Sequence, residues 1–265
     1  MQIVVCVKLV PSPGQWSQIT FRENGVLQRE GIEQVINLLD KHALEEAVRI
    51  RQKHGGTVTV LTMGPLSGLE NLREALAMGA DRAFLLSDRC FAGADTLATS
   101  CALAAGIKKA APDFNLVLCG AKSLDSGTAQ VGPQLAVHLE VAHVTSVFSV
   151  DLLEESIFQV KMEMERGYLL LNVLPPVVMT VIHRLNKPRI PTLADIVAAG
   201  GKEITVYSLA ELGLSPSQVG QAGSPTQVRD LFFSPVKRLG KILEGSLDEK
   251  VEKLLGQLGV AGVPG

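Results

Sequence analysis

Residues 116–134 read LVLCGAKSLDSGTAQVGPQ, and their grammar decides the fold. Leu116, Val117, Leu118 and Cys119 follow one another without a polar interruption, as in a strand covered on both faces. Gly120 ends the run, a loop of small polar residues follows, and helical character starts near Val131. Strand, short loop and helix make up the repeating unit of an open α/β sheet. In such sheets ligands collect at the carboxyl ends of the strands, and the free N–H groups of a helix N-terminus favour phosphate.

The same unit recurs on either side of this stretch. Residues 3–7 are a continuous apolar run; residues 41–53 (KHALEEAVRIRQK) put Ala43, Ala47 and Ile50 on one helical stripe; Gly55 and Gly56 stop it, and residues 57–63 are β-rich. Residues 68–78 read as a helix closed by Gly79, and residues 83–87 as a short strand. Residues 95–110 start with Asp95 and Thr96 near an N-cap and end in lysines that suit the C-terminal dipole. The strand at 115–119 and a helix at 132–139 complete the series. Near-continuous apolar strands alternating with helices predict an open parallel sheet of about five strands with helices on both faces.

After Val150 the pattern changes. Residues 156–164 and 167–173 are two β-like runs broken at Glu165, Arg166 and Gly167, as in a hairpin, and residues 177–182 are a further strand. Residues 215–235 are rich in Gly, Ser, Pro and Gln and read as an extended arm; residues 247–258 regain helical spacing. The expected division is therefore an α/β domain over 1–214 and a C-terminal arm and helix over 215–265.

Composition narrows the function classes. With 46% hydrophobic residues in 265, the chain can bury a large core, and a formal charge of -2 with mixed signs gives no field to concentrate nucleic acid or an anionic membrane. Residues 1–10 have no basic n-region and no cleavage site, and no stretch nears the roughly 20 apolar residues of a membrane span, so a cytoplasmic protein is expected. Cys6, Cys90, Cys101 and Cys119 are widely spaced without a CxxC, which suits reduced thiols. The histidines show no metal spacing, and Glu163 and Glu165 alternate as on a solvated strand face. Nothing resembles a nucleophile or an acid–base pair.

The candidate site is the loop itself. Gly127, Thr128, Ala129 and Gly132 are small enough for main-chain donors to approach a pyrophosphate, and Ser126, Thr128 and Gln130 can add side-chain hydrogen bonds. The loop is neither GxGxxG nor a P-loop, which argues against a dinucleotide-binding Rossmann site or a Walker NTPase. By residue pattern alone, an ordinary strand-to-helix loop is an equal alternative.

Residues 125–134, with their TAQVGPQ core, resemble the adenine-nucleotide loop of the electron transfer flavoprotein β subunits. Four further segments match in order: VCVKLVP at 5–11, INLLDKHALEEAVRI at 36–50, TMGP with LREALAMGADRAFLLSD through 88, and LPPVVMTVIHRLNKPRIPTL at 174–193. The resemblance covers the chain to about residue 197. It implies the adenine nucleotide alpha hydrolase-like arrangement and a set of cofactor contacts. Cys6 would lie where the first strand meets the adenosine; Asn37, Leu38, Leu39 and Asp40 would flank the nucleotide; Met63 would sit beside the adenine. Gly120, Ser123, Asp125, Ser126, Gly127, Thr128, Ala129, Gln130, Val131 and Gly132 would wrap the phosphates. Without the resemblance, Cys6 and Met63 read as core residues, and Asn37 and Asp40 as helix caps.

The resemblance also bears on cofactor and partners. Respiratory members hold AMP and have an NQTG-like core, whereas Ala129-Gln130-Val131-Gly132-Pro133 is similar to the anaerobic members that carry a second FAD and bifurcate electrons. FAD is therefore the expected cofactor and AMP the alternative. Those relatives commonly have a base after the glycine and a second acid after the loop aspartate, where this chain has Ala121 and Gly127; Lys122 is the candidate substitute for the base. An α subunit in an obligate heterodimer is implied, with NADH as transient electron donor, ferredoxin or flavodoxin as a low-potential acceptor and an acyl-CoA dehydrogenase-like flavoprotein as another partner. Residues 184–197 match the loop that docks on the dehydrogenase, with Leu193 as anchor and Arg189 and Ile196 beside it; otherwise Leu193 opens a half-buried amphipathic helix. The rival from another class is a stand-alone adenine-nucleotide sensor of the universal-stress type.

Overall fold

The computed structural model describes residues 1–18, 20–21, 27–28, 31–153, 157–228, 240 and 242–260. Two compact units emerge, Met1–Arg229 and Asp230–Gly265. The first is built on a nine-stranded sheet whose strands are β1 (Gln2–Cys6), β2 (Thr57–Met63), β3 (Arg82–Leu86), β4 (Leu116–Gly120), β5 (Ala142–Leu152), β6 (Phe158–Met164), β7 (Gly167–Val173), β8 (Val177–Val181) and β9 (Ile204–Tyr207). Their spatial order is β7-β6-β5-β8-β4-β1-β2-β3-β9.

The α/β architecture agrees with the sequence reading, but the sheet has nine strands, not about five. Seven are joined by parallel pairings, and the hairpin β6–β7 continues the same sheet, with β6 antiparallel to both β5 and β7. The extra strands are β5 and β9, together with a hairpin that is not a separate excursion. Its two-residue turn, Glu165 and Arg166, is closed by pairing of Met164 with Gly167, whose φ of 104° suits only glycine. Of the first hairpin run as predicted, Ser156 lies outside the described residues.

Helices α1 (Leu38–His54), α2 (Leu69–Ala77), α3 (Thr96–Ala110), α4 (Val131–Leu139) and α5 (Leu193–Gly200) lie among the strands in the chain, and α6 (Leu247–Val260) is the helix described in the second unit. Alternation along each strand divides the core. Ile3 and Val5 pack with Ala43, Leu44, Ala47, Val48, Leu72 and Leu76 of α1 and α2. Val4 and Cys6 point the other way, toward Ala102, Leu103, Ile107, Leu135 and Ala136 of α3 and α4. Both faces being covered is why residues 3–6 of β1 and 116–119 of β4 are apolar at every position.

The expected arm does not start at Ser215. Residues 215–228 fold back onto the turn before α3: Asp95, the N-cap of α3, accepts from the N–H of Thr226, and its own N–H donates to Ser224 Oγ at 2.8 Å. Val219 is fully buried. The first unit thus extends to Arg229, and the rest of the predicted arm, residues 229–235, lies outside the described residues. No helix among the described residues is long and apolar enough to cross a membrane.

Candidate functional site

From β1 the chain goes outward through β2 to β3, then returns to lay β4 against the other side of β1. The carboxyl ends of β1 and β4 therefore diverge into a crevice, the place where open α/β sheets bind ligands. Into it project the turn after β1, the first turn of α1, the end of β2 and the loop 121–130 that leads into α4.

Asp40 forms the floor. Its Oδ2 accepts the main-chain N–H of Lys8 at 2.8 Å and its Oδ1 that of Gly120 at 2.7 Å, so one carboxylate ties together the two diverging strand ends. Burial pushes this carboxyl up to about 6; the two N–H donors pull the other way without cancelling it. Asn37 does the companion task. Its N–H donates to the Lys8 carbonyl, its Oδ1 accepts from Leu124 N–H and its Nδ2 donates to the Lys122 carbonyl, both at 3.1 Å. Asn37 and Asp40 thus have their polar atoms engaged by protein main chain, and they shape the cleft. Leu38 is exposed and Leu39 half-buried.

Among the described residues, three tethers hold the loop, one from each neighbouring element. Asn37 holds its first part. Lys8 Nζ reaches its middle, at 2.6 Å from Asp125 Oδ1, 3.0 Å from Ser126 Oγ and 3.2 Å from Ser123 Oγ. Thr96, at the start of α3, donates its hydroxyl to Gln130 Oε1 at 3.1 Å. Between the tethers, Gly127 and Ala129 adopt φ of 66° and 57°, the left-handed conformation that turns successive N–H groups to one side. Ser126, Gly127, Thr128, Ala129 and Gln130 are all exposed.

Helix α4 then presents the N–H groups of Val131 and Gly132 without intrahelical acceptors, and Pro133 has no N–H to satisfy. Gly132 packs so closely on β8 that a Cβ there would fall 2.2 Å from Thr180 Cγ2. Small residues, backbone donors, the hydroxyls of Ser126 and Thr128, and a carboxylate already paired with a lysine together suit an anionic phosphate group. The half-buried side chains of Leu39 and Met63 suit an adenine ring. Hydrogen bonds join Asn37 and Asp40 to Gly120, Lys122 and Leu124, and Met63 ends β2, the other neighbour of β1. Cys6 does not present its thiol: it is a core residue on the α3/α4 face, and burial, with the nearby charge of Asp40, pushes it up to about 12.

Two tethers escaped the sequence reading. Lys8 stood in plain view in VCVKLVP, but a lone cation after a buried strand carries no pattern. The expected substitute base, Lys122, is exposed and contributes its carbonyl to Asn37.

The segment before α5 forms a second surface. Ile190 is 91% and Leu193 77% exposed, and Ile196 and Val197 extend the apolar patch along α5. Leu193 does open a short helix, but it is not half-buried. A reciprocal capping box between Thr192 and Asp195 fixes that helix start. Arg189, expected in the docking set, is turned inward: its guanidinium grips both oxygens of the buried Glu45 carboxylate of α1, at 2.7 and 3.0 Å. Asn186 donates to Glu46 Oε2 and to the His42 carbonyl. These contacts tie the apolar patch to α1.

Comparison with known proteins bears on the whole chain. The Electron transfer flavoprotein domain matches residues 24–212. An electron transfer flavoprotein subunit beta of Thermoanaerobacterium thermosaccharolyticum is 42% identical over 259 residues, spanning 97% of this chain and 98% of the relative. The chain belongs to the electron transfer flavoprotein β-subunit family. Two other relatives are the caffeyl-CoA reductase-Etf complex subunit CarD of Acetobacterium woodii, 42% identical over 252 residues and 95% of each chain, and the protein FixA of Bradyrhizobium diazoefficiens, 38% identical over 262 residues, 96% of this chain and 90% of FixA. End-to-end similarity to β subunits replaces the stand-alone sensor reading.

Proposed function

We propose that this electron transfer flavoprotein β subunit binds FAD in the crevice between β1 and β4 and works in the cytoplasm as half of a heterodimer with an α subunit. The observation that carries the reading is the donor-rich loop 123–130 running into the N-terminus of α4, with its one acid, Asp125, already paired with Lys8. Such a mouth stabilises a diphosphate through main-chain N–H groups, the helix dipole and the hydroxyls of Ser126 and Thr128. Leu39 and Met63 receive the adenine, and Asn37 and Asp40 tie together the strand ends that frame it. When bound, FAD would supply the redox chemistry, taking electrons from NADH for delivery to ferredoxin or flavodoxin and to an acyl-CoA dehydrogenase-like or other flavoprotein. The protein's task is position, charge and exclusion of water. The name of the Acetobacterium relative, a subunit of a caffeyl-CoA reductase-Etf complex, supports a reductase or dehydrogenase partner.

A second reading, AMP in the same crevice, is favoured by Ala121 and Gly127, which stand where FAD-carrying relatives commonly have a base and an acid. AMP would be structural, stabilising the fold by linkage alone. Denaturing the purified heterodimer and counting released nucleotides separates the two: two FAD per heterodimer is the expected result, and one FAD with one AMP overturns it.

The apolar patch is the proposed docking site for the dehydrogenase. Leu193→Ala should weaken that complex about 30-fold, the effect of losing a central apolar anchor, while the thermal midpoint stays unchanged because the side chain is exposed. Surface plasmon resonance with the partner dehydrogenase reads the first and calorimetry the second. Unaltered affinity would exclude Leu193 as the anchor.

A further inference from the structure

We propose that Lys8 is the positioning residue that latches the nucleotide loop, and that the Lys8–Asp125 ion pair sets how slowly a bound adenylate leaves; the proposal rests on the reading of the crevice as an adenylate site. Lys8 is held at three points by groups that converge on the crevice. Its N–H is fixed by Asp40 and its carbonyl by Asn37, so its backbone is part of the clamp at the strand ends. Its side chain then crosses to loop 121–130, where the ammonium meets Ser123 Oγ, Asp125 Oδ1 and Ser126 Oγ within 2.6 to 3.2 Å.

Those three acceptors immediately precede Gly127 and Ala129, the residues whose left-handed conformation aims main-chain donors at the ligand position. A latch on the residues before this turn, with Thr96 on Gln130 after it, fixes the turn from both sides. The loop has no element of secondary structure of its own, so its order depends on such tethers. The pair is also chemically suited to a latch beside phosphate. Asp125 is mostly covered whereas Lys8 is 40% exposed; burial works against the carboxylate, but the Lys8 hydrogen bond and charge outweigh it and keep the carboxyl below its ordinary value. The acid therefore stays charged and paired at neutral pH and leaves little uncompensated negative charge to repel a phosphate.

Rates of AMP and FAD dissociation from this subunit within the purified heterodimer test this, with calorimetry and fluorescence as readouts. Lys8→Gln should release either nucleotide about 10–100-fold faster, as befits the loss of charge-assisted hydrogen bonds, and Asp125→Asn should do much the same. Combining the two should cost little more than either alone, and Lys8→Arg should restore most of the slow release. Raising ionic strength should speed release from the wild type and leave Lys8→Gln unmoved, a response that general loosening of the fold would not give. If Lys8→Gln fails to fold, Lys8→Arg, Asp125→Asn and the wild-type salt dependence carry the test. A wild type that binds neither AMP nor FAD would overturn the adenylate reading itself. Binding in the wild type with additive variants and salt-independent release would overturn the latch and leave the adenylate site standing.

Discussion

Gly132→Ala is expected to destabilise the protein by about 2–3 kcal/mol and to weaken AMP or FAD binding at least tenfold, by driving the start of α4 off the sheet. The added methyl would lie 2.2 Å from Thr180 Cγ2, well inside contact distance, and 3.3 Å from Cys119 Sγ. Thr180 cannot swing aside cheaply. It is buried in β8, its β-branched side chain has few rotamers, and its Oγ1 accepts the Ser146 N–H at 3.2 Å. Alanine's higher helix propensity offers about 1 kcal/mol at most in the other direction, so the clash decides the sign. The clash has one principal atom, which makes the prediction specific: Thr180→Ser removes that methyl and keeps the hydroxyl. The double variant Gly132→Ala with Thr180→Ser should recover most of the lost stability and affinity, measured by denaturant titration and calorimetry. Val137→Ala, on an exposed position of the same helix, should change neither. No rescue by Thr180→Ser would mean that α4 is not seated through this contact.

Asp40→Asn should give a different signature, small in stability at neutral pH and large in pH dependence. In the native protein the carboxyl titrates at about 6 against an ordinary 3.8, so the folded state holds its proton more tightly than the unfolded state. Its contribution to stability is then fully present below about pH 4 and is lost as pH rises through about 6, a change of about 3 kcal/mol for a shift of two units. Asparagine cannot titrate, and this slope should vanish from urea-unfolding curves taken between pH 4 and 7. At pH 7 two effects oppose one another. Removing the buried charge is favourable, but Lys8 and Gly120 donate to different oxygens, and an amide can accept only one of them. The N–H left facing the amide NH2 costs about 1–3 kcal/mol, which offsets most of the relief. Net stability therefore hardly moves, while the strand end that loses its acceptor is released and adenylate affinity should fall about 10–100-fold. A wild-type pH slope surviving in Asp40→Asn would show that another group titrates.

These two residues also mark where the sequence stops being legible. The strand–helix alternation through β4 and α4 could be read because uninterrupted apolar runs and glycine stops are local signals. Strand β5 could not: Ser146 takes φ of 51° within it, and the pairings with β6 and β8 both slip, so no steady alternation marks it. Strand β9 is only four residues long at the sheet edge. The fold-back of residues 215–228 depends on Asp95, more than a hundred residues earlier, and composition alone made that segment look like an arm. In the site, the loop was legible and its supports were not. Sequence cannot tell that Asp40 is engaged by main chain, that Arg189 turns inward to Glu45, or that Lys8 crosses to Asp125, because each depends on where distant elements meet.

The insertion of β8 between β4 and β5 has a consequence for synthesis on the ribosome. A nascent chain can pair β1 with β2 and β4 early, and can close the β6–β7 hairpin locally, but β4 keeps an open hydrophobic edge until residues 177–181 have emerged. Until then that edge is a template for pairing with other chains. Translation that pauses before Val177 should therefore favour aggregation, and chains released after Val181 should escape it.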